Sequence, residues 1–136
     1  MTAHSVLGPF QTAVYSRLTG DSALMALITG VFDDVPEKQP FDYVTFGEST
    51  EQAWDCFGQD GSEVAFDLHI WSRYRGFAKA QAIAAAIIGL LNNGVALTIT
   101  GYGTVLLDYV STQQLRDPDG ITRHLVTRFQ LLADVT

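Results

Sequence analysis

Asp67 and His69 are the pair whose types and spacing could do chemistry. Two residues apart in a stretch that alternates apolar and polar residues, they fall on one strand face, where an aspartate can orient a histidine as a general base. The plainer reading is a polar pair on an outer sheet face, because no Ser or Cys nucleophile is tied to them. Cys56 with a distant His would suggest a thiol enzyme, but neither a helix start nor a catalytic context accompanies it, so a bystander loop thiol is expected. His4, His69 and His124 lie far apart and form no HExxH-like pair, so no metal site is expected. Gly101-Tyr102-Gly103 sits between two strands, whereas a phosphate cradle needs a helix after its glycines; it reads as a turn, and no cofactor is implied. Arg73 and Arg75 flank Tyr74 in a compact basic-aromatic patch. Three readings of it stand: a single-strand nucleic-acid contact, a salt-bridging subunit contact, or two solvated arginines at a strand end.

The strand that carries these residues places Val64, Phe66, Leu68 and Ile70 on one face and Glu63, Asp67, His69, Trp71 and Arg73 on the other. It runs into a helix over 76–91 whose Phe77, Ala80, Ile83, Ala84, Ile87, Ile88 and Leu91 form a wide apolar stripe. Ala78, Ala82, Ala85 and Ala86 cover much of the remaining surface, small enough for a second backbone to approach closely. Asn92, Asn93 and Gly94 close this helix, Gly94 as a left-handed C-terminal residue. Trp71 on the second strand face and the alanine surface together suggest a chain that packs against copies of itself.

Upstream, Pro9 fits a first helical turn, and Phe10, Ala13, Val14 and Leu18 recur at helical spacing. Asp21 is a plausible N-cap for a short second helix ended by Gly30. A short extended piece over 31–35 and a strand over 42–49 follow. Residues 48–62 form the longest irregular segment, a projecting loop or hairpin in which Trp54 and Phe57 are expected to be partner anchors. A short strand over 95–100 and two long strands over 104–116 and 121–133 complete the chain. Asp117-Pro118-Asp119-Gly120 joins the last two with the Pro and Gly placement of a type I turn with a following bulge. The predicted fold is α+β: a mainly antiparallel sheet backed by two N-terminal helices and one long central helix, with a C-terminal β-hairpin, all within one domain over 1–136.

The chain has 136 residues, 8 Lys plus Arg against 15 Asp plus Glu, and a formal net charge of −7. Such an acidic balance argues against wrapping nucleic acid. The lone Cys56 can form no internal disulfide, so cytoplasmic synthesis is expected. The start lacks a signal-peptide pattern, and the apolar span over 77–91 is too short to cross a bilayer, so no membrane partner is expected.

Together the segments resemble the tail-completion or tail-terminator proteins of long-tailed, siphovirus-like bacteriophages and related phage-derived particles. The resemblance is carried by the two N-terminal helices, Val31-Phe32-Asp33-Asp34-Val35-Pro36, Tyr43-Val44-Thr45-Phe46-Gly47-Glu48, Trp54-Asp55, His69-Ile70-Trp71-Ser72-Arg73 and Gly76-Phe77-Ala78-Lys79-Ala80, in that order. It implies a non-enzymatic virion protein with no catalytic residues. Six copies would form a ring at the head-proximal end of the tail, stop tail-tube polymerisation and take part in head-tail joining. Its partners would be the tail-tube and head-tail connector proteins, with DNA passing through the channel without specific binding. Trp54, Phe57, Asp67, His69, Trp71, Arg73, Arg75, Ala82 and Ala85 are the expected subunit or partner contacts. The alternatives are a small α+β enzyme or ligand-binding module using Asp67 and His69, marked by a concave pocket joining them to a third polar group, or a transient assembly adaptor.

Overall fold

The computed structural model describes residues 4–55, 60–92 and 97–135, with no side chains described at 104 and 105. Helix α1, Leu7–Thr19, buries Phe10, Val14 and Leu18, one residue per turn on a single stripe. Its entry is tied down by the Glu51 carboxylate, which accepts from the Val6 amide at 2.7 Å and the Ser5 hydroxyl at 2.8 Å. Helix α2, Ser22–Met25, is capped as its sequence demands: Asp21 accepts from the Leu24 amide at 2.9 Å.

Five strands form one sheet in the order β1-β2-β3-β5-β4, with β1 at Val31–Phe32, β2 at Tyr43–Ala53, β3 at Gly61–Ser72, β4 at Tyr102–Arg116 and β5 at Arg123–Val135. Only the β1–β2 pairing is parallel. The sheet is therefore mainly antiparallel and the fold α+β, as the order of elements predicts. Helix α3, Ala78–Leu90, follows β3, and the chain then runs to the far edge as β4 before β5 returns to fill the gap beside β3.

Val64, Phe66, Leu68 and Ile70 are buried as the alternation predicts, opposite Leu131, Phe129, Thr127 and Leu125 of β5. The Phe10 ring lies 4.6 Å from Phe66, and Phe66 lies 5.4 Å from Phe129, so one aromatic column joins α1 to the central strands. Ala80, Ile83, Ala84 and Ile87 of α3 close the core over the same face. Gly76, at φ +74°, makes the turn between β3 and α3, a backbone conformation that Gly adopts without a Cβ clash. No helix among the described residues is long and apolar enough to cross a membrane.

Two local expectations differ from the structure. The strand expected to end at Ser49 continues to Ala53, paired with β3 down to Ala53 opposite Ser62, so residues 49–53 and 61–62 of the segment expected to be a loop or hairpin are ladder-paired. Cross-strand hydrogen bonding, which local composition does not reveal, overrides its polar character. The described part of the 95–100 segment is not a strand. Leu97 and Ile99 are buried, and Leu97, Thr98 and Thr100 line a hollow with α1. Alternation there reflects packing beside the helix. Gly94 and Cys56 lie outside the described residues.

Candidate assembly surface

The apolar stripe of α3 and the aromatic column put the helices on one face of the sheet and leave the other face to side chains alone. That outer face carries a stacked ladder. The ring of Trp71 on β3 lies 3.8 Å from that of His124 on β5, nearly parallel, and His124 lies 4.8 Å from His69. Register explains the stack, since Trp71 is directly opposite His124. Trp71 donates its indole N–H to the Thr45 hydroxyl at 3.1 Å, and is half-buried. His69 Nδ1 and His124 Nε2 stand 2.6 Å apart, so one ring donates and the other accepts, as complementary neutral tautomers do. Burial pushes the pKa of both imidazoles down. Asp67 and Glu48 oppose this at His69; at His124 the neighbouring His69 adds to the lowering and Asp117 opposes it.

Asp67 does not orient His69. Its carboxylate is held by Arg128, whose Nη2 donates to Oδ2 at 3.2 Å and whose Nε forms an ion pair with Oδ1 at 3.0 Å, with Asp67 nearly buried and Arg128 half exposed. Asp67 and His69 do line a shallow depression of about 520 Å³ with Thr45, Glu48 and Gln113. The pocket that a ligand-binding reading requires thus exists, but its carboxylate is engaged by an arginine and the Thr45 hydroxyl by Trp71. A nucleophile-base pair is not assembled there. A larger hollow of about 670 Å³ beside α1 brings together Thr12, Ser16, Arg17, Thr98 and Thr100, without a carboxylate, imidazole or thiol among its described lining. No three His, Cys, Asp or Glu converge as metal ligands among the described residues.

The other expected contact residues are dispersed. Ala82 and Ala85 are exposed on the side of α3 turned away from the sheet. Trp54 is half-buried just beyond β2, its amide donating to the Gly61 carbonyl at 3.0 Å. Phe57 lies outside the described residues. Arg75 is exposed, and Arg73 is exposed with its guanidinium 4.5 Å over the Phe41 ring. Three features escape a reading of the sequence: the partners His124 and Arg128, which only the β3–β5 register brings to this face, and the character of β4. That edge strand is 15 residues long and leaves Leu106, Tyr109 and Val110 more than 40% exposed. The available signal was an imperfect apolar alternation in a long terminal hairpin.

A family model described as tail completion protein gp17 matches residues 12–134. The chain is 25% identical over 114 residues to the tail completion protein gp17 of Bacillus phage SPP1, covering 84% of each. Among solved structures it is similar to a chain from the virion of a native gene transfer agent particle, at 27% identity and a TM-score of 0.86, covering 97% of this chain and 99% of that one. It also shares its fold with the bacteriophage SPP1 gp17 protein, at 23% identity and a TM-score of 0.63, covering 92% and 90%. The chain belongs to the tail completion protein gp17 family, and its role is that of a structural part of a phage-type tail.

Proposed function

We propose that copies of this protein form a ring, of six by family resemblance, at the head-proximal end of the tail. There the ring stops tail-tube polymerisation and takes part in head-tail joining. The observation that carries the reading is the long edge strand β4 with Leu106, Tyr109 and Val110 exposed. A lone subunit gains nothing from large apolar side chains exposed along an edge strand, whereas a neighbour or tube partner can cover them. The alanine side of α3 at Ala82 and Ala85 and the outer ladder of Asp67, His69 and Trp71 are the further contact surfaces, with Trp54, Arg73 and Arg75 at the subunit ends. The acidic balance suits a channel through which DNA slides without binding.

The test is a native mass measurement of the purified protein, alone and with tail-tube protein, together with electron microscopy of lysates lacking it. A closed oligomer and tails of uncontrolled length, or tails unjoined to filled heads, are expected. Normal, length-controlled tails attached to heads would refute the proposal.

A further inference from the structure

Arg73, Arg75, Lys79, Arg116 and Arg123, five of the chain's eight cationic side chains, gather at one end of the sheet. The register assembles them: Ser72, the last residue of β3, is opposite Arg123, and Arg123 is opposite Arg116. Aromatic rings hold three of the guanidinium groups in place. Arg73 lies 4.5 Å over Phe41, while Arg116 and Arg123 lie 5.3 Å and 5.7 Å over Phe77. Arg73 also donates to the Thr122 hydroxyl at 3.3 Å. Planar cations fixed in this way lose little freedom when they meet a carboxylate. Lys79 is taken by Asp42 at 3.1 Å, the Asp119 carboxylate is taken up within the hairpin turn, and half-buried Arg123 donates to the Gly120 and Ile121 carbonyls, which leaves Arg73, Arg75 and Arg116 as the exposed arginines of this end. Tyr74 and Ile121 are 56% and 57% exposed at the same end.

The other end is the opposite in charge. The sequence has no Lys or Arg from residue 48 to 72 or from 129 to 136, while Glu51, Asp55, Asp60, Glu63 and Asp134 stand where β2 ends, β3 begins and β5 ends. A strand of 12 residues separates the two ends. At about 3.3 Å per residue that is roughly 40 Å, several times the screening length of about 8–10 Å, so neither end neutralises the other within one subunit.

We propose that neighbouring copies meet head to tail, the arginine-aromatic end of one against the carboxylate end of the next. This rests on the ring reading above and specifies its contact. Two different patches at opposite ends make a heterologous interface, the kind that a ring requires and that closes when the rotation between copies returns to the first. Guanidinium-carboxylate pairs would set its register, with Tyr74 and Ile121 supplying apolar contact.

Charge reversal tests this directly. One variant carries Arg75→Glu with Arg116→Glu; the other carries Asp60→Lys with Asp134→Lys. Each alone should associate roughly a hundredfold more weakly than the wild type in sedimentation and native mass measurements, because like charges then face each other. An equimolar mixture should recover wild-type assembly, since the introduced glutamates of one variant then face the introduced lysines of the other when copies alternate. The milder Arg75→Gln with Arg116→Gln, which leaves charge neutral at those positions, should show a loss of roughly tenfold and guards against misfolding of the reversed forms. Reversed variants that assemble like the wild type, or a mixture that stays apart, would overturn the head-to-tail contact while leaving the ring intact. A wild type that stays monomeric at millimolar concentration, alone and with tail-tube protein, would overturn the ring itself. Unchanged assembly with lost binding of a labelled single-stranded oligonucleotide would assign the arginine end to nucleic acid and refute the inference.

Discussion

Neighbouring residues on α3 separate the stability of the fold from that of the assembly. Ile83 is fully buried against the sheet, whereas Ala82 is exposed on the opposite side of the helix. Ile83→Ala removes three carbons from the core, about 2.4 kcal/mol of transfer free energy at about 0.8 kcal/mol each. The space left behind raises the loss to roughly 3–4 kcal/mol. Ala82→Glu removes nothing from the core, and its effect on the isolated subunit should stay within about 0.5 kcal/mol, the scale of helix propensity and surface substitution. If the alanine side packs against a neighbour, however, the same glutamate places an unpaired charge in the contact. A penalty of about 3 kcal/mol there weakens association roughly a hundredfold. Urea unfolding measures the first quantity, and sedimentation velocity over a concentration series measures the second. An Ala82→Glu protein that unfolds like the wild type and also assembles like it would refute the helix as a contact. One that unfolds several kcal/mol more easily would show that the exposed side carries part of the core.

Acid should destabilise the subunit through the His69–His124 pair. Both pKa values are lowered in the folded state, so the unfolded chain takes up protons first, and stability present above about pH 6.5 is lost as pH falls towards the folded values. Urea unfolding at about pH 8 and about pH 5 checks this, with His124→Gln showing a smaller change over the same range; stability unchanged or higher in acid would contradict it. Gly61→Ala should lower the melting temperature, because the added Cβ would run into the Trp54 carbonyl oxygen and lie 3.1 Å from that of Ala133. A melting temperature equal to that of the wild type would show that the end of the β2–β3 hairpin yields without cost.

Periodicity and end signals made most of the fold legible. The β3 alternation, the Asp21 cap and the α3 stripe each describe a local surface that must be buried or a local donor that must be satisfied, and each lies where expected. The Asp117-Pro118-Asp119-Gly120 turn is equally direct: Gly120 has φ +71° and its amide donates to the Asp117 carbonyl at 3.0 Å. The turn is further fixed by Asp119, whose pKa is lowered to about 2 by the Thr122 and Ile121 donors around it. What stayed hidden is whatever depends on register between distant strands. Trp71 looks like an unpaired aromatic in the sequence because nothing local says that His124 will stack on it. Asp67 looks like a partner for His69 because nothing local announces Arg128. The arginine end is half visible for the same reason: Arg73 and Arg75 are neighbours in sequence, while Arg116 and Arg123 join them only through the sheet.

The placement of β5 between β3 and β4 also orders events in time. The central pairing of the sheet joins residues 61–72 to residues 123–134, so it cannot form while the chain is still short. Until the last strand has emerged from the ribosome, β3 and β4 each lack their shared partner, and Phe66 lacks Phe129. Nonlocal closure of this kind is slow relative to helix formation. A chain without β5 therefore presents neither the finished outer ladder nor the gathered arginine end. Emergence of β5 is therefore the event that completes the sheet and both of these surfaces.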